Sequence, residues 1–306
     1  YTRYEDPYPL IERIIQAPAD KVTQVFQEIY REEIKEKLIS QRVEEIKKSG
    51  VLTAVSAIPQ RAERYAYIAQ EAGADIFVVQ ATVTTVRHHS RRHPGVDLHK
   101  LCKNLKIPVI IGNCVTYDAA LELMETGCAA LLIGVGPGAA CTTRGVLGIG
   151  VPQVTATVDC AAARDYYFKR TGRYVSIITD GGMTTGGDIC KAFASGADAV
   201  MLGSAFARAK EAPGKGYHWG MATPHWNLPR GTRIYVGISG TLEEILYGPA
   251  KTDDGTQNLV GALKTSMGCV GARNLREMQL AELVIAPQIG SEGKIFQRTQ
   301  RVGMGK

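Results

Sequence analysis

The stretch Tyr117–Val135, YDAALELMETGCAALLIGV, changes its hydrophobic period half-way along. Its first part has helical spacing and stops at Gly127, the residue type that most often closes a helix. Its second part, Cys128–Val135, is a short apolar run without alternation, the signature of a strand covered on both faces. The same kind of run recurs at Val51–Ile58, Ala74–Thr82, Pro108–Cys114, Val175–Gly182 and Ala199–Ser204, with helix-like segments between. Ala72–Asp75 (AGAD) and Ser195–Asp198 (SGAD) repeat one helix-end-to-strand turn. Strand alternating with helix implies a parallel sheet joined by right-handed crossovers.

Six units fall two short of an eight-stranded barrel, and the chain opens on a helix-like segment, YTRYEDPYPLIERIIQ, with no strand before it. A barrel missing two strands exposes unpaired edges. The expectation is therefore an α/β fold, a (β/α)8 TIM barrel whose first two strands are absent from this sequence, with residues 1–306 forming a single catalytic domain. RHHSRRHPGVDLHKLC and ATPHWNLPRGTR read abruptly enough to mark shortened loops. KTSMGCVGARNLREM reads as one closing helix.

The 306 residues are 45% hydrophobic with a formal charge of +6, a globular composition with a real core. No apolar run reaches the ~18 residues of a membrane helix, and no signal-peptide pattern opens the chain, so no membrane and a cytoplasmic location are expected. The basic residues are dispersed apart from Arg87–Arg92, which makes no case for nucleic acid. Seven irregularly spaced cysteines without a C-x-x-C pair exclude a zinc or disulfide framework and read mostly as buried packing residues.

Chemistry in such a barrel gathers at the C-terminal strand ends. There the sequence places Gln80, then Asn113, then GVGPGAACTTRGVLGIGVPQ (Gly134–Gln153), then Asp180-Gly181-Gly182, then Gly203-Ser204. The two late glycine loops, TDGGMTTGGDI and MLGSAF, suit a phosphate, since glycine lets amides approach an anion and helix N-termini favour it. Asp180, a carboxylate beside that phosphate, suits a ribose hydroxyl. Cys141 follows a segment almost without side chains, where a partly exposed thiol near amide dipoles acts as a nucleophile; the alternative is a packed cysteine. Thr143 is a hydroxyl donor or a local backbone cap, and Arg144 an electrostatic aid.

At GNCVT, GVGPGAACTTRGVLGIGVPQ, TDGGMTTGGDICKAFASGADAVMLGSAFA and GMAT, in that order, the chain resembles the IMP dehydrogenase/GMP reductase family, closest to the branch without CBS domains. The resemblance runs from about Val51 to Met278. It implies NAD-dependent oxidation of IMP to XMP in guanine nucleotide biosynthesis, with Cys141 forming a covalent thioimidate at carbon 2. It further implies Asp180 on the ribose, Gly182, Gly203 and Ser204 on the phosphate, Met221 at the purine, and Gln80 and Asn113 towards the nicotinamide. The carbonyls of Gly136, Gly138 and Cys141 resemble the family's potassium site, and the family suggests a homotetramer.

Against the family pattern, Ala139 stands for a phosphate-binding serine, Gln80 for an aspartate and Leu132 for a basic residue. The flap lacks an Arg-Tyr pair, which leaves Arg230 or Arg233 to activate water, or both as solvated loop residues. GMP reductase, reducing GMP to IMP with NADPH, is the first alternative. It needs a glutamate where this chain reads Ile238-Ser239-Gly240, so the dehydrogenase is preferred. A flavin barrel and a catalytically inactive purine-nucleotide-binding paralogue are the others; the latter has no use for Cys141, Thr143 and Asp180 together.

Overall fold

The computed structural model describes residues 1–89, 95–220, 232–286 and 294–303. Three helices come first, α1 (Tyr8–Gln16), α2 (Val22–Tyr30) and α3 (Glu36–Lys48). Strand and helix then alternate through β1 (Ala54–Ala57), α4 (Pro59–Glu71), β2 (Ile76–Gln80), α5 (Leu98–Asn104), β3 (Val109–Cys114), α6 (Tyr117–Glu125) and β4 (Ala130–Ile133). The short α7 (Thr143–Leu147) precedes α8 (Gln153–Thr171), β5 (Ser176–Asp180), α9 (Gly186–Ala194), β6 (Ala199–Met201) and α10 (Ser204–Ala207). An antiparallel ribbon, β7 (Tyr217–Trp219) and β8 (Arg233–Tyr235), leads to α11 (Leu242–Tyr247), α12 (Leu259–Cys269), α13 (Leu275–Met278) and α14 (Lys294–Gln300).

All six apolar runs are strands. They pair in parallel in the order β1-β2-β3-β4-β5-β6, a sheet curled into a half-barrel. Phe77, Val79, Ile111, Leu131, Ile133 and Ile177 are fully buried and pack outward against small or apolar residues of α4, α6 and α8, such as Ala66, Leu123 and Cys160. Each such large side chain contributes about 1.5–3 kcal/mol by leaving water. The ribbon belongs to no barrel wall: Trp219 packs on Phe26 of α2, beside Ile14 and Ile29.

The repeated AGAD and SGAD turns do the same physical job. Asp75 accepts a hydrogen bond from the Thr53 amide at 2.8 Å, and its own amide donates to the Thr53 carbonyl at 2.9 Å. Asp198 does this to Ile177 at 2.8 Å in both directions. Each aspartate thus ties the start of one strand to the preceding one. Gly73 and Gly196 stand just before them at φ of +92° and +103°, which turns the chain out of its helix. The corresponding Ala129 lacks a carboxylate, and there the Arg173 guanidinium donates to the carbonyls of Gly127 and Cys128 instead.

One expectation needs correction. The closing segment is two helices, because Gly271 takes φ +75° and Asn274 caps a new start, accepting from the Glu277 amide at 3.0 Å. The thiols of Cys114, Cys128, Cys160 and Cys190 are buried and Cys102 is half-buried as anticipated, but Cys269 is exposed alongside Cys141. Among the described residues, no helix is long and apolar enough to cross a membrane.

Candidate active site

Strand alternation sorts β5 into two faces. Ile177 and Thr179 point to the helices, where Thr179 and Thr157 of α8 share a hydrogen bond of 2.9 Å. Asp180 therefore falls on the inner face at the strand's C-terminal end. Gln80 ends β2 in the same sense, after the outward-packed Val79.

Asn113 reaches Asp180 by another route. The β3–β4 pairing skips it, Gly112 matching Leu132 and Cys114 matching Ile133. Such a bulge re-aims a side chain. The loop after β2 pins the bulge: the Thr84 hydroxyl donates to the Gly112 carbonyl at 2.6 Å and the Thr84 amide to the Asn113 carbonyl at 2.9 Å. The Asn113 carboxamide then donates to Asp180 Oδ2 at 2.8 Å, and Gln80 to the same oxygen at 3.3 Å. The residues expected on opposite sides of two ligands thus form one cluster. Leu132, fully buried, fills the space left by Gly112, where any Cβ would overlap it.

Burial pushes the Asp180 carboxyl above its ordinary value of 3.8, while the bonds from Asn113 and Gln80 act the other way. The folded chain consequently holds this proton more tightly than the unfolded chain. The contribution to stability is complete below the unfolded value and declines as pH rises towards the folded one. Asp180→Asn removes that decline. Urea unfolding across this window shows a falling limb in the wild type that is flattened in the variant, and equal slopes would contradict the assignment.

The loop after β4 is braced from within. Arg144 Nε donates to the Val135 carbonyl at 3.1 Å and Nη2 to the Val151 carbonyl at 2.7 Å. Its stem passes between Gly136 and Gly150, since a Cβ on either would overlap Arg144 Cγ. Its role is to hold the loop's two ends together. The Cys141 amide closes a turn onto the Gly138 carbonyl at 3.0 Å, and the exposed Cys141 thiol donates to Thr143 Oγ1 at 3.2 Å. Thr143 is itself buried at the start of α7. Lysine cannot make both of the bonds of Arg144. Arg144→Lys is expected to lower turnover by about 10–100-fold by misplacing the thiol, leaving KM nearly unchanged in steady-state kinetics.

This loop lies on the β5 loop. A Cβ on Gly182 would stand 2.8 Å from Pro137 Cβ, and one on Gly181 would stand 3.4 Å from Pro137 Cγ. From the other side, the Cβ position of Gly220, just after β7, lies 3.3 Å from the Ala140 carbonyl oxygen. The Gln153 carboxamide secures the floor, donating to the carbonyls of Ile133 at 2.6 Å and Asp180 at 3.2 Å. Substituents at Gly138 and Gly203 would meet nothing within 4 Å, so protein packing places no demand for glycine there.

Part of the phosphate expectation is not met. The N-terminus of α9 is closed by the chain: Thr185 and Asp188 form a capping box, and the Gly186 amide donates to the Gly255 carbonyl. Of the backbone expected to face a phosphate, this leaves Gly182 and the Gly203–Ser204 turn. Arg233 stands apart from the thiol loop's network. Its Nη1 donates to the carbonyls of Ile14, Ile15 and Ala17 at 2.5, 3.0 and 2.9 Å, and its guanidinium lies over the Tyr217 ring. It caps the end of α1, because three helix-end carbonyls converge there. Met221 and Arg230 lie outside the described residues, as do parts of RHHSRR and of the flap.

Sequence reasoning passed over His218. Its Nε2 stands 3.1 Å from Ser204 Oγ, and burial lowers the imidazole below its ordinary value of 6.5. Only tertiary pairing brings β7 to α10, so no spacing signal marked it.

The donor types suit two of the implied groups unequally. Gly136, Gly138 and Cys141 offer neutral carbonyls, the ligand type for potassium, but three oxygens do not complete its shell, and that of Gly138 already accepts from Cys141. Gln80, held by contacts of 3.3 and 3.4 Å only, has a carboxamide able to turn to that of a nicotinamide.

Fold and site together define a parallel α/β barrel architecture with an exposed cysteine on the loop after one strand, a loop that packs on the glycines following a carboxylate at the end of the next. A family model for the IMP dehydrogenase / GMP reductase domain matches residues 14–294. The chain belongs to that family. It is 36% identical over 294 residues to an uncharacterized oxidoreductase of Mycobacterium leprae, covering 93% of this chain and 78% of that protein. It is 39% identical over 230 residues to the inosine-5'-monophosphate dehydrogenase of Aquifex aeolicus, covering 68% of this chain and 44% of that enzyme. The crystal structure of an IMP dehydrogenase/GMP reductase-like protein from Corynebacterium glutamicum superposes with a TM-score of 0.86. It is 35% identical, with 94% of this chain and 76% of that one covered.

Proposed function

We propose that this protein is an oxidoreductase that converts IMP to XMP with NAD, supplying guanine nucleotide synthesis. The observation that carries the reading is the thiol of Cys141, exposed on a braced loop, bonded to Thr143 and seated on the loop that holds Asp180. A binding protein needs no such nucleophile.

In this reading the Cys141 thiol, held by Thr143 Oγ1, releases its proton to solvent as its sulfur bonds to carbon 2 of the hypoxanthine ring. NAD, when bound, supplies the acceptor for the hydride leaving carbon 2. Water then cleaves the thioimidate, returning the thiol and releasing XMP. Asp180, oriented by Asn113 and Gln80, accepts the ribose hydroxyls. The amides of Gly182, Gly203 and Ser204 receive the phosphate, with no Cβ at Gly182 or Gly203 to obstruct it. Potassium, a cytoplasmic location and a homotetrameric assembly complete the proposal.

One observation bears on the reductase: Arg233, one of the two arginines offered for activating water, is committed to α1, and the reductase direction, which expels ammonia from GMP, requires no water-activating arginine. Against it, Ser239 occupies the position where that reaction needs a carboxylate. Nicotinamide absorbance decides. NADH formed from IMP and NAD with potassium present supports the dehydrogenase. NADPH consumed with GMP overturns it for the reductase, and no turnover with IMP still bound overturns it for a binding protein.

A further inference from the structure

The contact between Ser204 and His218 points to a function for an imidazole that no motif marked. We propose that His218 is a phosphate-binding residue that makes nucleotide capture proton-linked: the 5'-phosphate binds at Ser204 together with one proton from solvent, held on the His218 imidazole. The inference rests on the proposed nucleotide site and adds to it the ionic form of the ligand that the site selects.

The geometry sets the hydrogen-bond logic. Ser204 Oγ has one proton and lies 3.1 Å from His218 Nε2. In the free protein the pair needs only one proton between them, given by either atom. A phosphate at the Gly203–Ser204 turn claims the hydroxyl proton, since its oxygens only accept. Ser204 Oγ must then accept from His218, so Nε2 carries a proton in the complex. A dianion bound to that hydroxyl favours the doubly protonated ring over the neutral one that donates from Nε2.

In the free protein burial alone lowers the imidazole's affinity for a proton, with no charged neighbour contributing. Most ionisable groups on the surrounding elements have other partners, while the Nε of Arg208 is buried without a hydrogen-bond partner. Arg233 of β8 caps α1 across the Tyr217 ring, and Tyr217 stacks on Tyr235 across the ribbon. Arg208 follows α10, and Lys215, before β7, pairs with Glu12. His218 itself pairs with the neutral Ile234 in the ribbon. The largest charge that reaches it on binding is therefore the ligand's own. In sequence the position carries no mark, because His218 lies 14 residues from Ser204 and meets it only where the ribbon folds over α10.

Between the imidazole's free and bound titrations, linkage requires the apparent affinity for IMP to fall about tenfold per pH unit as pH rises. Calorimetry of IMP binding to the full chain in two buffers of different ionisation enthalpy counts the protons taken up. The wild type should take up to about one proton per site in that interval. His218→Gln retains a donor to Ser204 and should bind IMP with that proton uptake gone and the pH slope flattened. His218→Ala should bind about tenfold more weakly, as expected for a lost charge-assisted hydrogen bond. Inosine, which lacks the phosphate, should bind with no proton uptake in any variant. Uptake that is identical in the wild type and His218→Gln overturns the proposal while leaving the nucleotide site intact. Absence of IMP binding at every pH overturns both.

Discussion

Cys141→Ser should bind IMP with an affinity within about threefold of the wild type yet turn it over on the order of 10³-fold more slowly or worse. The thiol is exposed and forms one side-chain hydrogen bond, to Thr143, which a hydroxyl of similar reach preserves. The loop owes its shape to Arg144 and to the glycines around it, not to the sulfur. Folding and nucleotide contacts should therefore survive the change. The chemistry should not, because a serine hydroxyl yields almost no oxyanion near neutral pH, whereas a cysteine is a few per cent thiolate and intrinsically far more nucleophilic. Single-turnover absorbance combined with equilibrium binding separates the two effects. A variant with normal turnover would refute covalent catalysis, and one that loses binding and turnover together would show the thiol to be structural.

The second large effect concerns stability, at the opposite end of the sheet. Asp198 accepts from Arg164 Nη1 at 3.0 Å, from the Tyr174 hydroxyl at 2.6 Å, from the Ile177 amide and from Gln279 Nε2 at 3.0 Å. The Arg164 side chain is only 4% exposed. Its guanidinium also donates to the Gly196 carbonyl and lies over the Tyr174 ring. Burial and the bond to Asp198 push the Tyr174 hydroxyl up to about 12. Asp198→Ala leaves the buried guanidinium with only the more exposed Asp165 carboxylate, 2.9 Å from its Nε, as an ionic partner, and frees three other donors. Breaking a buried pair from one side costs about 3–5 kcal/mol. Urea denaturation monitored by circular dichroism should show that loss as a lower midpoint. The corresponding Asp75→Ala should cost much less, because Lys47, its ionic partner, is largely solvated. Equal losses at the two sites would mean that the turn, rather than the buried charge, carries the energy.

The comparison of Asp75 with Asp198 shows how far the chain can be read without coordinates. Both turns announce themselves in the sequence, since glycine followed by an apolar residue and aspartate is a local instruction. Which aspartate anchors a buried arginine depends on α8 and on Gln279, remote in the chain. Asp180 and Cys141 were likewise legible, being strand-end residues in glycine-rich loops. Asn113 was legible as a residue but not as the partner of Asp180, because a bulge redirected it. Arg233 was misjudged: an arginine near the flap has no local sign that three carbonyls of α1 await it.

By itself the sequence determined the alternation of strand and helix, the parallel sheet, and the loops that carry thiol, carboxylate and glycine. These depend on hydrophobic period, turn chemistry and residue type, all of which act over a few neighbouring positions. Tertiary structure alone decided that Asn113 and Gln80 orient Asp180, that Arg233 serves α1, and that His218 meets Ser204. Each of those outcomes is a contest among hydrogen-bond partners far apart in the chain, won by whichever group the packing brings within about 3 Å.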